Sequence, residues 1–252
     1  MKIGILRETK LPVDRRTPLT PYQVKALSEQ FNGHEFVVQR SSTRAFKDDE
    51  YANLGIPLID DADFCDILIG VKEVDKELLI PEKTYMFFSH TAKMQPYNQA
   101  LLKEASRKKI TLIDFEYLTI KKERVVAFGY WAGIVGAYKA MQGIGLQTAD
   151  YVLKPAGRCI DLKEMKKELK KARFIKARKI VVTGEGRVAS GAVEILEATG
   201  IRKVSPEFFL NNSTDTTVFC QIGPQHYTKH KAGKEFDFRE FVTNPQNFES
   251  TF

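Results

Sequence analysis

A chain of 252 residues, 43% hydrophobic and 28% charged, has the composition of a soluble globular protein and the length for one large or two modest domains. That balance excludes a disordered polymer, and no apolar run approaches the roughly 18 residues of a membrane span. The formal charge of +7 raises nucleic-acid binding. Much of the excess, however, sits between Asp161 and Lys179, where Leu162, Met165, Leu169 and Ala172 recur at helical spacing. A solvated amphipathic helix is expected there, and no nucleic-acid partner.

The opening residues MKIGILRETK read as a strand and a polar turn, without the apolar centre of a signal peptide. Cys65, Cys159 and Cys220 are few, odd in number and widely separated, so neither a disulfide framework nor a cysteine metal site is expected. A reducing cytoplasm is the expected compartment. Along the chain, KIGIL is the first strand, and Thr20-Pro21 starts a helix over YQVKALSEQF, with Thr20 as N-cap. HEFVVQ is a strand, Asp48 to Leu54 a short helix, and CDILIGV a buried strand ending at Lys72. TYMFFSH closes at His90, Pro96 to Lys108 has helical periodicity, and ITLIDFEYL is a further strand. Strands alternating with helices predict a parallel α/β sheet.

From Ala132 the segment GIVGAYKAMQGIGL is rich in small residues and apolar around much of its circumference, which predicts a buried helix joining two lobes. Beyond the basic helix, VVTGEGRVASGAVEIL spaces Gly184, Gly186 and Gly191 as G-x-G-x-x-x-x-G between a strand and a helix. The first glycine would permit a tight turn, the second close approach to a pyrophosphate, and the third close packing of the helix on its strand. An ordinary glycine-rich turn is the alternative. RKVSPEFFL reads as the next strand, and Glu207 in it lies at the right distance past the glycines for a ribose contact; a solvated turn glutamate is the other reading. The tail beyond Asn211 reads as irregular. The expected fold class is therefore α/β with two Rossmann-like lobes, each a parallel sheet flanked by helices. Residues 1–132 form the substrate domain, and residues 133–252 the connecting helix with the first part of a dinucleotide-binding domain. The second lobe looks incomplete, because only about sixty residues follow Gly191.

Two proton-transfer candidates end buried strands. Lys72, beside Glu73, stands where open α/β sheets place their ligands, and His90 closes the neighbouring run. A surface lysine and a satisfied core histidine are the alternatives. Arg15 and Arg16 follow the first strand and could grip a carboxylate, or pair with Asp14 or Glu8. Glu116 lies in an apolar strand and needs a partner or a function. His226 and His230 are spaced i, i+4, but lack a nearby third ligand, so no metal is expected.

RETKLPVDRRTPLTP, GVKEV, KTYMFFSHTAKMQ, LIDFEYL, RVVAFGYWAG and GEGRVASGA fall in an order and spacing that resembles the alanine dehydrogenase/pyridine-nucleotide transhydrogenase superfamily. FFSHTAK, RVVAFGYWAG and the closing HYTKHK, FDFREF and NPQNFESTF are similar to its lysine-forming saccharopine dehydrogenase and lysine–ketoglutarate reductase branch. The resemblance implies an oxidoreductase that interconverts saccharopine with L-lysine and 2-oxoglutarate, with NAD or NADP as cofactor. It implies Lys72 and His90 as acid/base groups, Arg16 as a substrate-carboxylate ligand, and Glu73 and Glu116 as acidic residues tuning the substrate site. Gly184, Gly186, Val188 and Gly191 would line the cofactor, with Arg187 near its phosphates. Small molecules are the expected partners, with homo-oligomer formation left open. The alternatives are an alanine dehydrogenase and a non-catalytic subunit of the same family.

Overall fold

The apolar runs KIGI, EFVVQ and ILIGVK pair edge to edge, and the sheet they begin organises the first half of the chain. The computed structural model describes residues 1–251 and divides into two units, Met1–Val126 and Ala127–Phe252. In the first unit the strands are β1 (Lys2–Ile5), β2 (Glu35–Gln39), β3 (Leu58–Ile59), β4 (Ile67–Lys72), β5 (Thr84–Phe88) and β6 (Thr111–Asp114). They form one parallel sheet in the order β3-β2-β1-β4-β5-β6. Helices α1 (Pro21–Gln30), α2 (Asp48–Ala52) and α3 (Gln99–Arg107) join them. α1 starts where Thr20-Pro21 predicts: Thr20 caps the Gln23 amide, and Gln23 reaches back to the Thr20 amide.

Successive strand residues feed opposite faces, so both faces carry a core. Ile3, Ile5, Phe36 and Val38 pack with Val24 and Tyr51 on one face, while Val37, Leu68, Tyr85 and Leu101 pack on the other. Strand order runs one way from β1 and the other way from β4. The β1–β4 boundary is therefore a switch point, where the loops leaving the two carboxyl ends part and open a crevice.

LIDFEYL departs from its expected course. β6 ends at Asp114, whose side chain accepts the Glu116 amide at 2.8 Å and bends Phe115–Tyr117 into a 3-10 turn. A short antiparallel pair, β7 (Thr119–Ile120) with β8 (Glu123–Arg124), follows.

The second unit opens on α4 (Gly129–Thr148) and α5 (Leu162–Leu169). α5 buries Met165 and Leu169 and is shorter than the predicted basic helix; Lys166 pairs with Glu194 and Lys171 with Glu168. Next come β9 (Lys179–Thr183), α6 (Arg187–Ala198), β10 (Arg202–Val204), α7 (Pro206–Asn211) and β11 (Val218–Ile222). RKVSPEFFL is thus a three-residue strand followed by a helix, because Ser205 caps the Phe208 amide and Pro206 takes the first helical position. The tail read as irregular contains β11, the centre of a parallel sheet in the order β10-β11-β9. VFCQI is buried at Val218, Phe219 and Cys220, whereas β10 exposes Arg202 and Lys203, so the apolar strand takes the centre and the basic one the edge. β12 (Thr228–His230), α8 (Phe238–Thr243) and β13 (Phe248–Ser250) complete the chain's elements. Among the described residues no helix is long and apolar enough to cross a membrane.

α4 and α6 cross with their backbones in contact. A Cβ on Gly133 would lie 1.9 Å from the Val188 carbonyl oxygen, and one on Gly191 would lie 2.1 Å from that of Tyr130. Gly191 therefore serves the helix–helix contact rather than the expected helix–strand contact. Gly191→Ala forces the two backbones apart and should cost about 2–3 kcal/mol. Gly143→Ala, in the same long helix but with no atom within 4 Å of the added carbon, should stabilise by up to about 1 kcal/mol. Urea unfolding of the two variants measures the contrast; equal midpoints would contradict the crossing.

Candidate active site

Parallel strands deliver their exits to one edge of the sheet, and the β1–β4 boundary gathers charge there. The β1–β4 ladder stops where the Leu6 amide donates to the Ile69 carbonyl at 2.9 Å. Past that point the Glu8 side chain takes over: Oε1 accepts the Val71 amide at 2.7 Å and Oε2 the Lys72 amide at 2.9 Å. Burial pushes the Glu8 carboxyl above its ordinary value, the two amides pull it back, the Asp14 charge adds to the rise and Arg16 opposes it. Lys72 ends β4 half-buried, and its Nζ has no hydrogen bond or ion pair among the described residues. Its charge is felt nearby. Burial first, then the Lys72 ammonium, lowers the pKa of Lys10, whose own Nζ is bonded to Glu73 Oε1. The other Glu73 oxygen, Oε2, is buried without a hydrogen-bond partner. A buried carboxylate oxygen without a donor is costly, which suits a site that receives a donor from a ligand.

One strand over, Lys72 is in register with Phe88 of β5, and His90 follows that strand. His90 sits at φ +55°, ψ +14°, a left-handed conformation that needs external support. Asp114 Oδ2 supplies it by accepting the His90 amide at 3.1 Å and the Ser89 hydroxyl at 2.6 Å; Asn98 Nδ2 donates to the His90 carbonyl at 3.0 Å. The imidazole is held separately. His90 Nδ1 lies 3.0 Å from Glu116 Oε2, while Lys93 Nζ at 3.2 Å and Arg124 approach Glu116 Oε1. The Glu116 side chain is only 9% exposed, and the hydrogen bond from His90, reinforced by Arg124 and Lys93, holds its carboxyl at about 2. An ionised carboxylate can only accept, so Glu116 favours a proton on Nδ1 and Nε2 as the exchanging nitrogen, whereas Lys93 Nζ, 3.1 Å from the same Nδ1, is a competing donor to it. A cleft of 370 Å3 lies against Lys10, Glu73, Tyr97 and Asn98, joining the Glu73 side of the site to the residue that holds the His90 carbonyl.

The structure thus gathers Lys72, Glu73, His90 and Glu116 at neighbouring strand exits. Arg16 lies on the same side, but its Nε donates to Asp14 Oδ1 at 2.9 Å and Nη2 binds Asp14 Oδ2, so one edge of its fork already holds a carboxylate. Glu8, Asp114, Lys93 and Arg124 were not singled out as site residues. An acid three residues past the first strand, and the D-x-E spacing of Asp114 and Glu116, are the signals that pointed to two of them.

In the second unit, Gly184 leaves β9 at φ +94°, a conformation suited to glycine, and Gly186 caps α6 without a side-chain hydrogen bond. A Cβ on Gly186 would meet nothing within 4 Å, so the space before Arg187 and Val188 is open. An uncapped start to a 12-residue helix, approached through open space, fits a phosphate group of a dinucleotide. Glu207 is placed elsewhere. It lies exposed on the first turn of α7, after β10, and β11 separates β10 from β9, so two strand spacings of about 5 Å each intervene. The neighbour of β9 is β11, and Gln221 on it donates to the Gly184 carbonyl at 3.0 Å. Glu207, expected at a ribose, thus follows the edge strand rather than the strand beside β9. His226 and His230 are taken up by the Gly223 amide and Glu240, and no group that could hold a metal ion occurs among the described residues.

Residues 4–135 match the family described as alanine dehydrogenase/PNT, N-terminal domain. Over 99% of its length the chain is 31% identical to the mitochondrial alpha-aminoadipic semialdehyde synthase of Bos taurus. It is 32% identical over 79% of its length to the NAD(+), L-lysine-forming saccharopine dehydrogenase of Emericella nidulans. It spans 29% of the bovine protein and 57% of the fungal one. A solved L-alanine dehydrogenase has the same fold, with a TM-score of 0.54 at 16% identity over 87% of this chain and 60% of that one.

The Glu116 network carries a pH dependence. A carboxyl lowered from 4.5 to about 2 on folding adds stability that is complete above about pH 4.5 and lost as the pH falls through about 2. Glu116→Gln should therefore unfold at lower temperature than the wild type at pH 7, with the gap closing between pH 4.5 and 2. Calorimetric melting across that range tests it, and a pH-independent gap would refute the network.

Proposed function

Because this chain belongs to the alanine dehydrogenase/PNT family, on its saccharopine dehydrogenase branch, we propose that it serves as an oxidoreductase interconverting saccharopine with L-lysine and 2-oxoglutarate. The observation that carries the reading is the pairing of Lys72 and His90 at adjacent strand exits, with His90 Nδ1 bound to Glu116 at 3.0 Å. In the forward direction the lysine ε-amine attacks the 2-oxo carbon, water leaves, and the resulting imine accepts a hydride at carbon and a proton at nitrogen. In the reverse direction saccharopine loses the hydride and the imine is hydrolysed. NAD or NADP, when bound, supplies or accepts that hydride.

The protein's own part is proton movement and orientation. Condensation removes a proton from the attacking amine and delivers one to the departing hydroxyl, so two proton-exchanging groups are needed. Lys72 serves at Nζ and His90 at Nε2, with Glu116 keeping Nδ1 protonated and the ring oriented. Glu73 Oε2 accepts a hydrogen bond from a substrate amine and so gains the donor it lacks. Arg16 holds a substrate carboxylate, exchanging or sharing its contact with Asp14. The turn of Gly184 and Gly186 and the helix start at Arg187 and Val188 would hold the dinucleotide's phosphates.

Oxidation of NADH or NADPH, followed at 340 nm, should require lysine and 2-oxoglutarate together. Lys72→Met should lower kcat by about 10²-fold or more, the usual contribution of a positioned acid or base. Turnover with pyruvate and ammonia in place of those substrates would assign the chain an alanine dehydrogenase reaction instead. Binding of the substrates without turnover would assign it a non-catalytic role.

A further inference from the structure

β4 carries an irregularity at the end nearest the site. Its ladder with β5 pairs Ile69 with Met86 and Lys72 with Phe88, so three steps along β4 match two along β5. An extra residue of this kind breaks the ladder locally and turns the next side chain off the regular alternation. On the other side, β1 stops pairing at Ile69. The Val71 and Lys72 amides receive their acceptors from the Glu8 carboxylate, one to each oxygen at 2.7 and 2.9 Å.

We propose that Glu8 is a positioning residue for Lys72: its two carboxylate oxygens hold the β4 bulge, and the bulge aims the Lys72 amine. The proposal rests on the reading of Lys72 as a proton-transfer group. Strict alternation would put Lys72 on the face of Leu68, among Val37, Tyr85 and Leu101, where an ammonium would be stranded in an apolar cluster. With the bulge in place its charge acts instead on Lys10 and Asp14. The carboxylate lies directly beside the bulge, since a Cβ on Gly70, the residue entering it, would be in ordinary contact with Glu8 Oε1 and with the Lys72 carbonyl oxygen, each at 3.5 Å. The chemistry asks for a carboxylate in particular. Two parallel N–H donors need two acceptor atoms, and a glutamine would turn its NH2 toward one of them.

The test uses the full chain as wild type, Glu8→Gln and Glu8→Asp. Lysines are dimethylated with 13C-formaldehyde, and the Lys72 methyl signal is identified by its loss in Lys72→Arg and followed by NMR against pH. In Glu8→Gln the signal should move and its titration midpoint should shift by about half a pH unit or more. The kcat should fall about tenfold at little-changed KM. Glu8→Asp, which keeps both oxygens on a shorter arm, should fall between, and it carries the test if the glutamine variant does not fold. A Lys72 signal and titration that superpose on the wild type's would overturn the proposal, as would an unchanged kcat. The NMR readout needs no turnover, so a failure of the proposed reaction leaves this test intact and is recognised separately by the missing NAD(P)H oxidation.

Discussion

One carboxylate, on Glu8, takes over the hydrogen bonding of β4 where backbone pairing with β1 ends. Sheet topology creates the need for it. At a switch point the two chains leaving the sheet diverge, and the last amides on one side lose their natural acceptors. Water would ordinarily satisfy them. Here a half-buried glutamate does so, at the cost of carrying a carboxyl that burial pushes upward. The result is a strand end defined to its last residue, and that residue is Lys72.

The same device recurs at the next exit with a different residue. Asp114 receives the His90 amide on one oxygen and the Glu116 amide on the other, so a single side chain orders both members of the imidazole–carboxylate pair. It also explains how His90 tolerates a left-handed backbone, since that geometry is held from outside rather than by its own preference. Strands deliver the reactive groups, and acidic side chains from other segments hold their backbones in place. Side chains on rigid strand ends, each with a dedicated backbone support, are well suited to proton transfer over a fixed distance.

Five of the six strands of the first sheet were legible because each lies in a near-continuous apolar run, whereas the two-residue edge strand β3 was not read; Lys72 and His90 were legible because each closes such a run. Glu116 was recognised as a carboxylate in need of partners, but its turn was missed: Asp114 competes for the backbone in a way that periodicity does not register. β11 was missed because VFCQI sits in a polar tail, and its central place depends on pairing with β9, about forty residues earlier in the chain. With that strand unread, the distance between Glu207 and β9 was not legible either. Counting residues past a glycine turn locates a ribose ligand only when the next strand in the chain is also the next strand in the sheet, and here it is not.

The contact between α4 and α6 bears on how motion would pass through the second unit. Most helix pairs are separated by a layer of side chains, which can change rotamer and absorb a small displacement. At Gly133 and Gly191 that cushion is missing, and main chain rests on main chain. α6 begins immediately after the glycine turn, so a shift of α4 along or across its axis is transmitted to the turn undamped. The long helix and the open turn ahead of α6 are thereby joined main chain to main chain as one mechanical part.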